Sequence, residues 1–293
     1  MRKINIFWHI AAVLTVFIWG TTFVSTKYLL GEGFGAVEIM VIRFIIAYTV
    51  LFIIHPVIKK VSLKEELIFI AMGTTGGVLY FLAENQALQI TTASNVAMIV
   101  STTPLLTVML AHFFTDDEKI SGTMFLGFAI AISGIACVVL NGKFILKLNP
   151  LGDFLAFLSA MSWAFYSIIL KKTGEKYNIF FVTRKMVFYA LIISVPIMVL
   201  MGERINFNKL GNLYTVLNFL FLGVIASALC YVIWQKCINK IGMVTASGYI
   251  YLSPMITIIT AVIFINEKIT IFSIVGCIMI ITGVYIFNKK GKI

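Results

Sequence analysis

Ten apolar segments, each roughly 17–25 residues long, fill this chain and are joined mostly by loops of a few residues. They fall at 8–30, 36–54, 67–88, 93–114, 123–140, 152–170, 180–201, 213–234, 243–265 and 269–287. As helix, such a length crosses about 30 Å of hydrocarbon. Lipid offers the backbone no hydrogen bonds, so each segment must satisfy its own N–H and C=O groups, which a helix does internally. The pattern predicts an all-α integral membrane protein of ten transmembrane helices. Composition agrees: 60% of residues are hydrophobic and only 12% charged, against about a quarter charged in a soluble domain.

The stretch 104–134 is echoed near the C-terminus by 254–283. At an offset of 150, Pro104 pairs with Pro254, Thr107 with Thr257, Ala111 with Ala261 and Phe114 with Phe264. One deletion near Asp116 then aligns Glu118-Lys119-Ile120 with Glu267-Lys268-Ile269, Gly127 with Gly276, and Gly134 with Gly283. A repeat of this length marks duplication. We therefore divide the chain into halves at 1–145 and 146–293, with five segments each. Five is odd, so the second half enters the membrane from the opposite side. Inverted repeats of that kind place a substrate site near the bilayer midplane, between the halves, around a central cavity.

Charge fixes the expected orientation. Sixteen of the 23 lysines and arginines fall on the face that holds the N-terminus, six fall on the other, and Arg43 lies within a segment. The positive-inside rule puts both termini in the cytoplasm of a multi-pass protein of the cell (plasma) membrane. The net charge of +11 is thus a topology signal and gives no reason to invoke nucleic acid. Arg2-Lys3 before an apolar run resembles a secretory signal, but no small-residue cleavage site follows, and the segment reads as an uncleaved span. Cys137, Cys230, Cys237 and Cys277 sit inside apolar segments, and His9, His55 and His112 are scattered, so no metal or cofactor is expected.

Polar groups inside the segments are the candidate site. Trp19 eight residues before Lys27 is matched by Trp163 eight before Lys171. A tryptophan at mid-span either faces lipid or lines a cavity, where its ring stacks and its N–H donates. Gly20, Thr21, Thr22 and Ser25 beside it fit either a cavity wall or a close helix contact. Pro104 and Pro254, near the middle of their segments, each free the carbonyl four residues earlier, at Val100 and Ile250. They read as helix kinks that shape a central site or act as hinges, against the alternative of passive kinks, which are common in membrane helices. Intramembrane charge is a functional-site signal by default. Arg43 is expected to pair internally, with Glu38 as a partner, or to brace carbonyls. Glu84, toward the outer end of its segment, either serves transport or faces outer water. Tyr80, Asn95, Tyr166, Tyr231, Tyr249 and Ser253 complete the substrate-binding candidates with Trp19, Thr22, Glu84 and Trp163.

Taken together, FIWGTTFVSTKYL in the first segment, VIRFIIAY in the second, and the repeated proline, Glu-Lys-Ile turn and Gly-x6-Gly helix resemble the drug/metabolite transporter superfamily with two EamA-type halves. The resemblance implies a ten-helix bundle working by alternating access, typically exporting amino acids, related metabolites or toxic small molecules. The four-helix relatives rely on a glutamate in their first helix, and this first segment holds no acid. Our leading expectation is a secondary transporter exporting a small amphipathic metabolite such as an amino acid. A small-molecule substrate and the lipid bilayer are its partners, and a proton is a candidate coupling ion. Uptake of a sugar or nucleoside is the alternative. A lipid-modifying enzyme is disfavoured, because the acid cluster Asp116-Asp117-Glu118 is reduced to Asn266-Glu267 in its repeat and reads as a turn.

Overall fold

A computed structural model describes residues 6–114, 121–140, 149–173, 176–265 and 271–288. Among these every regular element is helical. Two helices, α1 (Ile6–Gly31) and α2 (Ala36–Ile54), open the chain. They are followed by α3 (Leu63–Ile90), then by α4, built from Ala93–Val100 and Thr103–Phe114, and by α5 (Gly122–Leu140). The second half runs α6 (Pro150–Thr173), α7 (Ile179–Leu200) and α8 (Leu213–Ile241). It ends with α9, which spans Met243–Gly248, Tyr249–Leu252 and Ser253–Ile265, and with α10 (Ile271–Asn288). Eight of these helices are long and apolar enough to cross a membrane, while α5 and α10 carry shorter apolar stretches, Gly122–Gly134 and Ile274–Phe287. The repeated turns at Glu118 and Glu267 lie outside the described residues, as does most of the 141–153 linker.

Local sequence sets the helix ends. Ser62 caps α3 and exchanges hydrogen bonds with Glu65 in a capping box, and Asn178 and Asn212 accept from Phe180 and Tyr214 N–H at the starts of α7 and α8. Gly242, at φ 89°, adopts a backbone that side chains resist and turns α8 directly into α9.

Two departures from α-helix recur in both halves. The middle of α3 winds as π-helix over Gly73–Leu79, and the middle of α8 does so over Phe221–Leu229. At the offset of 150 found in the sequence, Gly73 falls on Gly223 and Leu79 on Leu229. Likewise α4 breaks at Ser101-Thr102 just before Pro104, and α9 tightens to a 3-10 turn over Tyr249–Leu252 just before Pro254. The carbonyls freed by the prolines are satisfied locally. Thr103 Oγ1 donates to Val100 O at 2.6 Å, and Ser253 N–H donates to Ile250 O. Pairing of that kind is what backbone at membrane depth requires.

In lipid, helices associate through close packing of small residues more than through a hydrophobic drive. The Gly-x6-Gly motifs of the two halves meet each other. A methyl placed on Gly134 would lie 2.7 Å from Gly276 O, and one on Gly283 would lie 2.7 Å from Gly127 O. The backbones of α5 and α10 thus touch. Ion pairs and hydrogen bonds tie the loop ends of the halves: Lys185 Nζ pairs with Glu66 at 2.6 Å, with Tyr189 OH donating to the same carboxylate, Lys176 pairs with Glu65, and Arg184 donates to the carbonyls of His55 and Val57. At other loops Glu203 accepts from Val37 N (3.0 Å) and Glu38 N (2.7 Å), and Glu38 accepts from Asn206 N at 2.7 Å.

Candidate functional site

The helix breaks, and the turns that follow the π segments, border a cavity of about 40 Å³. Its wall draws Val16, Trp19, Thr22 and Phe23 from α1, Arg43 from α2, Tyr80 and Phe81 from α3, and Val100 and Thr103 from α4. The second half adds Trp163 from α6, Tyr231 from α8, and Ile250 and Ser253 from α9. Val100 and Thr103 on either side of the α4 break, Ile250 and Ser253 in and after the α9 turn, and Tyr80 and Tyr231 just past the π segments face the same space, the arrangement tolerated at membrane depth only around a cavity or within protein.

Six of the thirteen lining side chains carry aromatic rings. Trp19 and Trp163 meet edge to face at 5.0 Å between centroids, Tyr80 lies 5.0 Å from Trp163, and Tyr231 lies 5.8 Å from Trp19 and 5.5 Å from Trp163. Such offset and T-shaped contacts are the ones ring quadrupoles favour. The polar tips of Trp19 and Tyr231, and the Ser162 hydroxyl beside Trp163, are held by the π segments. Trp19 Nε1 donates to Ala226 O at 3.0 Å, Tyr231 OH to Gly76 O at 2.8 Å, and Ser162 Oγ to Thr75 O at 2.8 Å. Each bond crosses from one half to the other.

Charge enters through Arg43, which is 1% exposed. Its Nε donates to Ser227 Oγ at 2.9 Å, its guanidinium sits 4.0 Å above the Phe81 ring, and its Nη1 has no partner. Glu38, the partner expected from sequence, is instead engaged with Gly35 N and Asn206 N at the start of α2. A carboxylate bound to free N–H groups at a helix start is already satisfied, and Arg43 lies two turns further along. Arg43 is a wall residue, which its expected structural role missed. Glu84 is 1% exposed and does not face outer water. It lies one turn beyond Tyr80, within hydrogen-bonding reach of the phenol and electrostatic reach of Arg43, and its Oε1 is unpartnered.

Of the sequence candidates, Trp19, Thr22, Tyr80, Trp163, Tyr231 and Ser253 line the cavity. Glu84 and Tyr166 stand behind it, Tyr166 with its ring 5.0 Å from Trp163 and against Gly76. Tyr249 is elsewhere: its hydroxyl pairs with His9 Nδ1 at 2.7 Å. The 3-10 turn rotates it toward α1, a twist that 3.6-residue spacing does not foresee. Asn95 has a side chain outside the described residues. The small residues beside Trp19 serve both readings at once. Thr22 faces the cavity, while a methyl on Gly20 would lie 2.7 Å from Ile256 Cγ2 of α9, whose Thr257 donates to Gly20 O at 2.9 Å. His112 is exposed at its helix end, as expected of an interfacial group. Phe81, Thr103, Ser162 and Ser227 were not anticipated. Extending the offset of 150 back into α3 would have flagged Phe81, which falls on Tyr231.

A model of the EamA-like transporter family matches residues 6–140 and again 150–289. The chain belongs to that family. As an EamA-like transporter it is a multi-pass membrane protein, in keeping with its long apolar helices. An "Uncharacterized transporter" of Archaeoglobus fulgidus is 27% identical over 291 residues, covering 96% of this chain and 97% of that one. A "Probable amino-acid metabolite efflux pump" of Escherichia coli is 24% identical, covering 94% and 93%. A "Probable terminal-alkyne amino-acid exporter" of Streptantibioticus cattleyicolor is 23% identical, covering 96% and 93%. A solved crystal structure superposes with a TM-score of 0.73 at 16% identity, covering 95% of this chain and 96% of that one, a likeness of fold.

Proposed function

We propose that this EamA-like protein is a secondary transporter that exports an amino acid or a related amphipathic metabolite across the plasma membrane by alternating access. In this reading ten helices span the bilayer as two inverted five-helix halves, 1–145 and 146–293, with both termini in the cytoplasm. The observation that carries it is the cavity, walled by both halves at the breaks of α4 and α9 and just past the π segments of α3 and α8. Breaks at equivalent points of two halves, around one polar and aromatic chamber, suit a site that each half closes in turn. Pro104 and Pro254 are the hinges in that cycle. The family-model matches support transport, and the amino-acid exporters named among the relatives support the substrate class.

Reconstitution in proteoliposomes tests the proposal. Preloaded radiolabelled leucine, phenylalanine or methionine should leave faster than from empty-liposome controls, with saturation and with trans-stimulation by unlabelled amino acid. An imposed pH gradient tests the proton as coupling ion. Saturable flux of sugars or nucleosides with no amino-acid flux would replace the reading with that of a nutrient permease. Correctly folded protein that moves none of these compounds would sink it.

A further inference from the structure

Two donors on the cavity wall are buried and unpartnered: Nη1 of Arg43, which is 1% exposed, and Nε1 of Trp163, which is 4% exposed. Buried N–H groups in native proteins nearly always have acceptors, so each orphan calls for an explanation. The duplication supplies one for Trp163. Trp19 and Trp163 occupy matching places in the halves, and Trp19 Nε1 donates to Ala226 O in the π segment of α8. At the offset of 150, the matching carbonyl for Trp163 is Gly76 O in the π segment of α3. That carbonyl is already taken by the Tyr231 hydroxyl. The residue matching Tyr231 in the first half is Phe81, which has no hydroxyl and leaves Ala226 O to Trp19. One oxygen atom, present on Tyr231 and absent from Phe81, thus distinguishes the halves at this point, and the second tryptophan's N–H is left without a protein acceptor.

We propose that Arg43 Nη1 and Trp163 Nε1 form the carboxylate subsite of the transport cavity, and that the substrate is a zwitterionic amino acid bound by them through its carboxylate. The assignment rests on reading this cavity as the transport site. A carboxylate bound to a guanidinium and an indole N–H makes charge-assisted hydrogen bonds that water in the same place matches poorly. Arg43 is the one charged side chain among the described residues that line the cavity, and Glu84 stands within its electrostatic reach. A ligand of zero net charge adds no net charge to this buried site, whereas a phosphate would. The ammonium end has its own partners. Thr22 and Thr103 spend their hydroxyl protons on Trp19 O and Val100 O, and so turn oxygen lone pairs toward any donor in the cavity. The faces of Trp19, Tyr80 and Tyr231 suit a cation as well.

The test uses the full-length protein in nanodiscs and three matched series: leucine, phenylalanine and methionine, their amides, and the corresponding acids lacking the amine. Titration calorimetry gives affinities, and proteoliposome efflux gives competition by the same compounds. Each amino acid should bind at least about tenfold more tightly than its amide, the loss expected for removing a hydrogen-bonded charge. Trp163→Phe, which breaks no hydrogen bond within the protein, should lower the acid-to-amide ratio about tenfold while leaving amide affinity within about twofold. Arg43→Gln should collapse the ratio to near one. If amides bind and compete as well as amino acids in the wild type, the carboxylate subsite is wrong although transport stands. An unchanged ratio in folded Trp163→Phe protein equally overturns it. If no member of the panel binds or moves, the subsite and the transporter reading fall together.

Discussion

Trp19 and Trp163 are equivalent by sequence and close in space, yet they should respond differently to the same substitution. Trp19→Phe removes the indole that donates to Ala226 O at 3.0 Å and leaves a carbonyl of the α8 π segment without its side-chain donor. Trp163→Phe removes an N–H that no protein atom accepts. Both changes shrink a tryptophan to phenylalanine within one cluster, where the two rings touch at 5.0 Å, but Trp163 is buried and Trp19 only half-buried, so the packing loss is the larger at Trp163 and any gap against Trp19 is a lower limit on the hydrogen-bond contribution. That hydrogen bond is worth about 0.5–1.5 kcal/mol net in proteins and about 0.6 kcal/mol on average inside membranes. Trp19→Phe should still be the less stable variant, by up to about 1 kcal/mol, which for a chain of this size is about 2–4 °C in Tm. Thermal unfolding of both variants in one detergent, followed by intrinsic fluorescence, measures the gap. Efflux should show the reverse order, with the larger loss of amino-acid transport in Trp163→Phe. Equal melting temperatures, or a lower one for Trp163→Phe, would refute the division of labour between the two indoles.

Tyr231→Phe makes the second half resemble the first at this point and frees Gly76 O, the carbonyl that matches the acceptor of Trp19; if Trp163 Nε1 turns to it, amino-acid affinity should fall about tenfold with Tm changed by less than about 4 °C, read by calorimetry and fluorescence. Gly127→Val forces a branched side chain between α5 and α10 where Gly283 O and the Phe287 backbone already touch; overpacking of this kind costs about 1–3 kcal/mol, seen as a drop in Tm or in folded yield on size exclusion. Lys185→Met removes the 2.6 Å pair with Glu66 that joins α7 to the start of α3; the pair is partly exposed, so stability should change by less than about 1 kcal/mol. If that end of the bundle opens during transport, the same variant should speed modification of a cysteine introduced at Thr103 by a membrane-impermeant maleimide, and an unchanged rate would mean that the pair does not hold the closed state.

Much of this architecture is legible in the sequence because it depends on long-range regularities. Segment length follows from the thickness of hydrocarbon, and the 104–134 and 254–283 echo announces the duplication. The glycines at 127, 134, 276 and 283 reveal where backbones touch, although not that the two motifs touch each other. The aromatic candidates Trp19, Tyr80, Trp163 and Tyr231 stood out because polar-tipped rings are unusual at mid-span. What was not legible depends on local winding. A π segment adds a residue to the turn, and a 3-10 turn tightens it, so after Gly73 or before Pro254 the face that a side chain occupies can no longer be counted in steps of 3.6. Tyr249 was misplaced for that reason. Arg43 was underrated because Glu38, the nearest acid along the chain, had its own work capping α2 and holding Asn206.

A duplicated fold tends to produce a symmetric chamber, and a symmetric chamber is a poor match for a ligand with two different ends. The present cavity escapes that constraint with few substitutions. The α3 face presents Tyr80, Phe81 and Glu84, whereas the matching α8 positions are Cys230, Tyr231 and Trp234. The Tyr231 hydroxyl takes a backbone acceptor on α3, the Trp163 donor is unspent, and Glu84 puts a carboxylate behind the wall where Trp234 puts a ring against Trp19 at 5.0 Å. Donors are thus left over at Arg43 and Trp163, while hydroxyl oxygens and aromatic faces are left over at Thr22, Thr103, Trp19 and Tyr80. Polarity of this kind arises from side chains alone, since the π segments and proline breaks that shape the chamber recur in both halves. It follows that substrate selectivity should move with the α3 and α8 positions, and that exchanging Phe81 and Tyr231 as a double variant should weaken amino-acid binding more than it disturbs the fold.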